Sequence, residues 1–385
     1  QSLEDHLRGV GALAALFAGK LGLQEMGELL GLLHDLGKYS QSFQTYLKSA
    51  IGVLNQDEDE DWVDAKSLKG KVDHSTAGAQ FAWQALGKAG TLETAQVLAL
   101  CIASHHSGLI DCIGVQAAAF GENLFGRRME KAQQRTHLEE VQRLADPQLL
   151  QRCRELLADS RVVSKFQGLL TQIGCSNQGH GSHVTIQQQW GLLVRFLFSC
   201  LIDADRIDTA DFEKRHQRSF RPGGRYTGWL VLIERLERRL AHWSPTRPID
   251  HLRQDISLHC QQAAAKPRGI YTLTVPTGGG KTLASLRFAL HHAKEHGLDR
   301  IIYIIPFTSI IDQNAKVVRD VLEPADAPQD QGRVVLEHHG SLTPEQQTWR
   351  EKVLCENWDA PVIYTTMVQL LEALFGAGTR GARRM

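Results

Sequence analysis

Leu29-Leu30-Gly31-Leu32-Leu33-His34-Asp35-Leu36-Gly37-Lys38 is the stretch on which the reading of the first half turns. Its leucines recur at helical spacing and stop at Gly37, a helix-end signal. A buried helix therefore carries a histidine and an aspartate to its C-terminal end. Neighbouring residues on a helix point about 100° apart. One of the two can face one metal ion while the other bridges towards a second.

Working outward, two further apolar segments end in the same kind of residue. Val97, Leu98, Leu100, Cys101 and Ile102 run into Ser104-His105-His106-Ser107-Gly108, and Leu192, Leu193, Phe196, Leu197, Leu201 and Ile202 run into Asp203-Ala204-Asp205. His6 and His74 also lie on or beside apolar segments. Imidazole with carboxylate suits Mn, Fe, Co, Ni or Zn, whereas Mg prefers carboxylate and water. A shared carboxylate would hold two ions roughly 3.5–4 Å apart, close enough to clamp a phosphodiester. A single histidine near an apolar stretch is usually a core or surface residue; the combination of His-Asp-x-x-Lys, His-His and a helix-closing Asp is what points to metal. His180, His183, His216, His291, His292, His338 and His339 lack that company and are set aside as non-ligands.

From Leu3 to about Leu240 the pattern is mostly helical. The acidic run Asp57-Glu58-Asp59-Glu60-Asp61 reads as a solvated insertion. Between Glu213 and Leu240, Lys214, Arg215, Arg218, Arg221, Arg225, Arg235, Arg238 and Arg239 face three glutamates. That stretch reads as a connecting helix closing the first domain, with a phosphate-binding face as the alternative. Pro245 and Pro248 mark the boundary.

After Pro248 the texture changes. Ile270–Val275 is a β-rich run, followed by Pro276-Thr277-Gly278-Gly279-Gly280-Lys281-Thr282 and a helical pattern through Leu283, Leu286, Phe288 and Leu290. A strand, a glycine loop ending in Lys-Thr and a helix make a phosphate cradle: loop N–H groups hold the phosphates, Lys281 reaches the β/γ-phosphates and Thr282 serves Mg²⁺. Arg300–Pro306 and Pro361–Thr365 are further strand runs. Strands alternating with helices imply a parallel sheet.

Composition bounds the rest. A length of 385 residues suits two or three domains, and 43 basic against 43 acidic residues leave no global field advertising nucleic acid. The seven cysteines are scattered, with no Cys-x-x-Cys, which argues against a disulfide framework or zinc ribbon and for a reducing, cytoplasmic setting. Trp190–Ile202, the most apolar long stretch, is short and broken by Arg195, so no membrane span is expected. Gln1 is not an initiator, so the start is expected to have been processed or cut away.

The ordered set His34-Asp35-Leu36-Gly37-Lys38, Asp73-His74-Ser75, Ala103-Ser104-His105-His106 and Asp203-Ala204-Asp205 resembles the HD phosphohydrolase superfamily, and its CRISPR nuclease branch in particular. The resemblance implies one ion on His6, His34, Asp35 and Asp203, and another on Asp35, His74, His105 and His106. It implies a catalytic pair of Asp35 and Lys38, with Lys38 at the scissile phosphate and the ions being Fe, Mn, Co or Ni. The loop, with Val275 where the strict phosphate-loop pattern has glycine, resembles the helicase version. By the same resemblance Gln254 reads adenine, while Thr308, Ser309 and Gln313, then Thr365, Thr366 and Gln369, contact DNA through its backbone. An HD domain followed by a helicase half resembles the helicase–nucleases of type I CRISPR systems.

That family implies an all-α HD domain, here 1–240, followed by an α/β RecA-like helicase lobe, here 249–385 and incomplete. It implies a single-stranded DNA nuclease fed by a 3′-to-5′ ATP-driven motor and recruited by the RNA-guided Cascade complex. No Asp-Glu pair follows Lys281 and no second helicase lobe is present, so this chain is expected to bind ATP and Mg weakly and not to turn ATP over. The remaining helicase half would lie in the same or a separate polypeptide. Competing readings are an HD phosphohydrolase of small nucleotides and a catalytically silent recruitment module.

Overall fold

Ser2 caps the first helix by accepting a hydrogen bond from the Asp5 N–H (3.0 Å), as a serine at that position should. The computed structural model describes residues 1–54, 63–64, 72–87, 91–176, 183–215, 223–340, 354–355 and 358–375. The acidic run at Asp57–Asp61, His180, His216, Arg218, Arg221, Arg380, Arg383 and Arg384 lie outside the described residues. The chain divides into two compact units, Gln1–Arg215 with Leu374–Met385, and His216–Ala373.

The first unit is all helical: α1 Leu3–Ala18, α2 Gln24–Leu33, α3 Gln41–Ala50, α4 Ser75–Gly87, α5 Leu92–Ser104, α6 Leu124–Met129, α7 Gln133–Thr136, α8 Leu138–Leu144, α9 Pro147–Ala158, α10 Ser160–Ser176 and α11 His183–Glu213. α1 packs chiefly on α2 and then on α11, and α4 on α5. Leu7 and Val10 from α1, Leu29, Leu30 and Leu33 from α2, Leu98 and Ile102 from α5, and Leu197 and Leu201 from α11 share one fully buried core. The expected apolar stripes are what face inward, and the residues at their ends meet above that core.

The second unit contains α12 Trp229–Ala241, α13 Pro248–Ala263, α14 Lys281–Glu295, β1 Ile301–Ile304, α15 Thr308–Leu322, β2 Val335–His338, β3 Val362–Thr365 and α16 Met367–Phe375. Its strands form a parallel sheet in the order β1-β3-β2, with Ile301 and Val335 both opposite Val362. Every residue of the central strand β3 is buried, which is why Val362-Ile363-Tyr364 reads as a continuous rather than alternating apolar run. The chain is thus an all-α region followed by an α/β lobe.

Two expectations need correction. The basic stretch before Leu240 does not close the first unit: α12 buries Leu232, Ile233 and Leu236 against Leu286, Leu290, Val318 and Leu322 of the second. The boundary therefore falls at 215/216 rather than near 240. Its charge hid its apolar stripe, and Arg235 is itself only 10% exposed, paired with Asp330 at 2.6 Å. Nor is Ile270–Val275 a strand: Ile270 is 99% exposed, and the segment joins no ladder among the described residues. A strand needs a neighbour for its N–H and C=O groups, and among the described residues none pairs with it.

Candidate metal centre and phosphate loop

The His-Asp pair sits at a break. α2 ends at Leu33, His34 is its C-cap, and a 3₁₀ turn, Leu36–Tyr39, begins beyond Asp35. Gly37 makes the break possible by close approach: a Cβ there would stand 2.1 Å from the His74 carbonyl oxygen. The turn therefore presses directly on the backbone that carries His74. That histidine stands at the head of α4, whose first turn Asp73 caps by accepting from the Thr76 N–H (3.1 Å). Lys131 anchors Asp73 at 2.6 Å, and Arg128 donates to the Ser75 hydroxyl at 2.8 Å.

Asp35 is 1% exposed and lies at the centre. Its two oxygens face different histidines. Oδ1 lies 3.6 Å from His74 Nε2, 3.3 Å from His105 Nε2 and 3.8 Å from His106 Nε2. Oδ2 lies 3.3 Å from His34 Nε2 and 3.7 Å from His6 Nε2, and ion-pairs with Lys38. Ligand-type atoms thus gather in two groups, Asp35 with His74, His105 and His106, and His6 with His34 and Asp35, joined through the one carboxylate.

The rings of His34, His105, His74 and His6 are held from behind. The Nδ1 of His34 lies 2.8 Å from Gly31 O, that of His105 2.7 Å from Ile102 O, that of His74 3.1 Å from Val72 O, and that of His6 2.8 Å from Asp208 Oδ2. An oxygen acceptor at each Nδ1 assigns the proton there and turns Nε2 inward, the arrangement in which imidazole binds metal. His34 carries the point furthest: its Nε2 is fully buried between Asp35 and Asp205 and has no hydrogen-bond partner. A buried, orphaned nitrogen between carboxylates is otherwise costly, and a cation there would satisfy it. The donor set fits a divalent transition metal.

The charges agree. Burial, the largest influence, opposes protonation of His6, but Asp205, Asp35 and Asp208 together raise it to about 9. His34 is driven down by burial and up by Asp35 and Asp205, with the carboxylates prevailing at about 10. Burial works against ionised Asp35 and Asp205, yet the histidines hold both well below the usual range. His106, desolvated and beside His105, is lowered to about 3. Asp35 and Asp205 are the groups that draw positive charge into the pocket, carried here by His6, His34 and Lys38.

One expected ligand is replaced. Asp205, not Asp203, reaches the site, 3.4 Å from His6 Nε2 and 3.7 Å from His34 Nε2. Residues two apart on a helix point about 200° apart, so the two aspartates face opposite ways; Asp203 adds its charge beside Cys200 instead. Continuing the Leu193-Leu197-Leu201 stripe by four more residues lands on position 205, a signal that periodicity carried.

In the second unit the loop leads into α14 at Lys281, with Gly278 and Gly280 at φ of 82° and 81°, a conformation that favours glycine. The Gly279 N–H donates to Pro276 O, and Lys281 Nζ donates to Val275 O (3.0 Å). Thr277 is exposed, and the Thr282 hydroxyl bonds the Asn314 amide oxygen (2.9 Å), tying α14 to α15. Gln254 is exposed on α13; its neighbour Arg253 reaches the loop instead, donating to Gly278 O at 2.8 Å. Of the expected DNA contacts, Thr308, Ser309 and Gln313 lie at the exposed or half-buried start of α15. Thr365 is fully buried and its hydroxyl donates to His338 O, so it is not available to a phosphate. Thr366 accepts from the Gln369 N–H, capping α16. A third gathering, Asp312, Glu337 and His339, lies in this unit, but Arg319 already occupies Glu337 at 2.6 Å.

A helical unit that splits one buried aspartate between two histidine groups, followed in sequence by a lobe with a parallel sheet and a Lys-Thr glycine loop at the start of a helix, has the make-up of an HD-type hydrolase fold joined to a helicase-type lobe. Residues 5–172 match the family model "Cas3, HD domain", and residues 259–383 match "DEAD/DEAH box helicase". The chain carries a Cas3 HD domain followed by a DEAD/DEAH box helicase region, the make-up of the CRISPR HD nuclease–helicases. Over 130 residues it is 33% identical to the CRISPR-associated nuclease/helicase Cas3 of Haloferax volcanii, covering 29% of this chain and 14% of that protein. Crystal structures of T. fusca Cas3 with AMPPNP and of T. fusca Cas3 align over 98% of this chain, at 16% and 14% identity and TM-scores of 0.48 and 0.45. The chain spans less than half the length of these relatives, covering 43% of the first of the two structures.

Proposed function

We propose that the first unit is a metal-dependent nuclease that cleaves single-stranded DNA in CRISPR interference. The observation that carries this is Asp35, buried and dividing its two oxygens between two histidine groups. His6, His34, Asp35 and Asp205 would hold one divalent ion, and Asp35, His74, His105 and His106 the other. Two ions so held would supply Lewis acidity for hydrolysis of a phosphodiester. The chain's own residues do the rest. The backbone carbonyls behind His34, His74 and His105 fix each ring, and burial of His34 and His105 keeps bulk water from competing for them. Lys38, half-buried at the rim and paired with Asp35, offers an ammonium to an anionic phosphate oxygen.

The second unit would bind ATP with Mg through Thr277, Gly278, Gly279, Gly280, Lys281 and Thr282, and would meet the DNA backbone through Thr308, Ser309 and Gln313. In the whole protein this serves a 3′-to-5′ motor acting in the cytoplasm with an RNA-guided Cascade complex. The ions would be Fe, Mn, Co or Ni, as the family resemblance implies.

The deciding experiment measures metal per chain alongside digestion of single-stranded DNA, for wild type and Asp35→Ala. Wild type should retain two ions and cut DNA, and Asp35→Ala should lose both properties. Unchanged cutting by Asp35→Ala sinks the assignment, and faster turnover of dNTP than of DNA redirects it to small nucleotides.

A further inference from the structure

α11 brings two aspartates to the same ring. Asp205 meets the inward Nε2 of His6 (3.4 Å), while Asp208, one turn further along, meets the outward Nδ1 (2.8 Å). Gln1 also donates to the same Asp208 oxygen, at 2.8 Å. His6 is thereby gripped from behind by a carboxylate, whereas His34, His74 and His105 are gripped by backbone carbonyls. The difference follows from position: His34 and His105 are the C-caps of their helices and reach back three residues to a carbonyl of the same helix, whereas His6 lies within α1 and takes its acceptor from a second helix.

Space for that acceptor is built into α1. Gly9 lies in the middle of the helix, where glycine is the poorest of the ordinary helix formers. A Cβ placed on it would stand 2.1 Å from Asp208 Oδ1 and 3.0 Å from its Cγ. Gly9 is therefore the notch into which the Asp208 carboxylate fits on its way to His6. Two features far apart in sequence, a helix-weakening glycine and an acid outside the ligand set, become intelligible together.

We propose that Asp208, seated against Gly9, is a positioning residue that locks the His6 ring with its Nε2 towards Asp35 and Asp205, and so sets the affinity of the ion bound by His6 and His34. This rests on the two-ion reading above. A carboxylate behind a ligating histidine fixes the ring and strengthens the donor, and its loss typically weakens metal binding about 10- to 100-fold.

The test uses the full chain and Mn²⁺, titrated by calorimetry and by electron paramagnetic resonance, with Asp208→Ala, Gly9→Ala and Asp208→Asn. Asp208→Ala and Gly9→Ala should each weaken one of the two ions about 10- to 100-fold while the ion at His74, His105 and His106 binds as before. Asp208→Asn, whose amide oxygen still accepts a hydrogen bond, should recover part of the loss. A sheltered His6 Nδ1–H resonance, visible by ¹⁵N-histidine NMR in the wild type, should vanish in Asp208→Ala. General loosening of the helices would not single out one ion or one ring proton. If wild type binds two ions and both Asp208→Ala and Gly9→Ala bind them with unchanged affinity, this proposal is overturned by itself. If wild type takes up no Mn²⁺, the nuclease reading beneath it falls, and the proposal falls with it.

Discussion

Single side chains decide this site because a buried ring has only two nitrogens to spend. Where Nδ1 is committed to an oxygen, Nε2 is what the pocket receives, and this chain makes that commitment at His6, His34, His74 and His105. Rotation about the helix axis likewise separates Asp205 from Asp203 on α11. Asp205→Ala should strip the ion shared by His6 and His34, while Asp203→Ala should leave both ions in place; metal content per chain reads the difference. A second residue-scale prediction concerns acid. His338 is lowered to about 4 by burial and then by neighbouring His339, and its Nδ1 accepts the Trp358 indole N–H at 2.7 Å, which only the neutral ring can do. Unfolded, it takes a proton near pH 6.5. Its contribution is therefore intact above about pH 6.5 and is lost as pH falls towards about 4, at a cost on the order of 2 kcal/mol after allowance for partial exposure. Thermal melts of the second unit between pH 7.5 and 5 should show that drop, and His338→Asn, which accepts without titrating, should flatten it.

At the scale of elements, α12 shows how charge can disguise allegiance. Arg235, Arg238 and Arg239 make it look like a solvated connector, yet Leu232 and Leu236 are fully buried. It packs on α14 and α15 of the second unit. Leu236→Ala should destabilise that unit by about 3 kcal/mol, the usual cost of emptying a buried leucine site. Hydrogen exchange should speed up in α14 and α15 while the amides of α1 and α2 stay protected; faster exchange in α1 and α2 instead would return α12 to the first unit. The short helices and turns around the site have a complementary role. Asp73 caps α4, Lys131 holds Asp73, and Gly37 lets the His-Asp turn lie against His74, so three separate segments are registered to one another within a few ångströms.

For the molecule as a whole, the metal cage and the fold are separable. The first unit buries Leu7, Leu30, Leu33, Leu98, Ile102 and Leu201 completely without calling on any ligand, unlike a zinc finger whose folding energy is its metal. EDTA should therefore abolish DNA cutting while leaving far-UV circular dichroism and the melting temperature largely unchanged. Global unfolding on chelation would contradict that. Among the described residues no helix is long and apolar enough to cross a membrane, and none of the cysteines is joined in a disulfide.

Much of this was legible beforehand, because helical periodicity and motif spacing are local properties. The leucines ahead of His34, the Ser-His-His end of α5 and the Gly-Gly-Gly-Lys-Thr loop announce their elements within a dozen residues each. They determine an α-helical first half, a parallel α/β second half and the residue types of a metal cage. What only the tertiary structure decided is which of two adjacent aspartates turns inward, where α12 belongs, that Thr365 spends its hydroxyl on His338 and that Asp208 stands behind His6. Each depends on the rotation of one helix about its axis, or on a partner many residues away. Contact between distant segments is set by the packing of whole faces, and a local pattern does not carry that information.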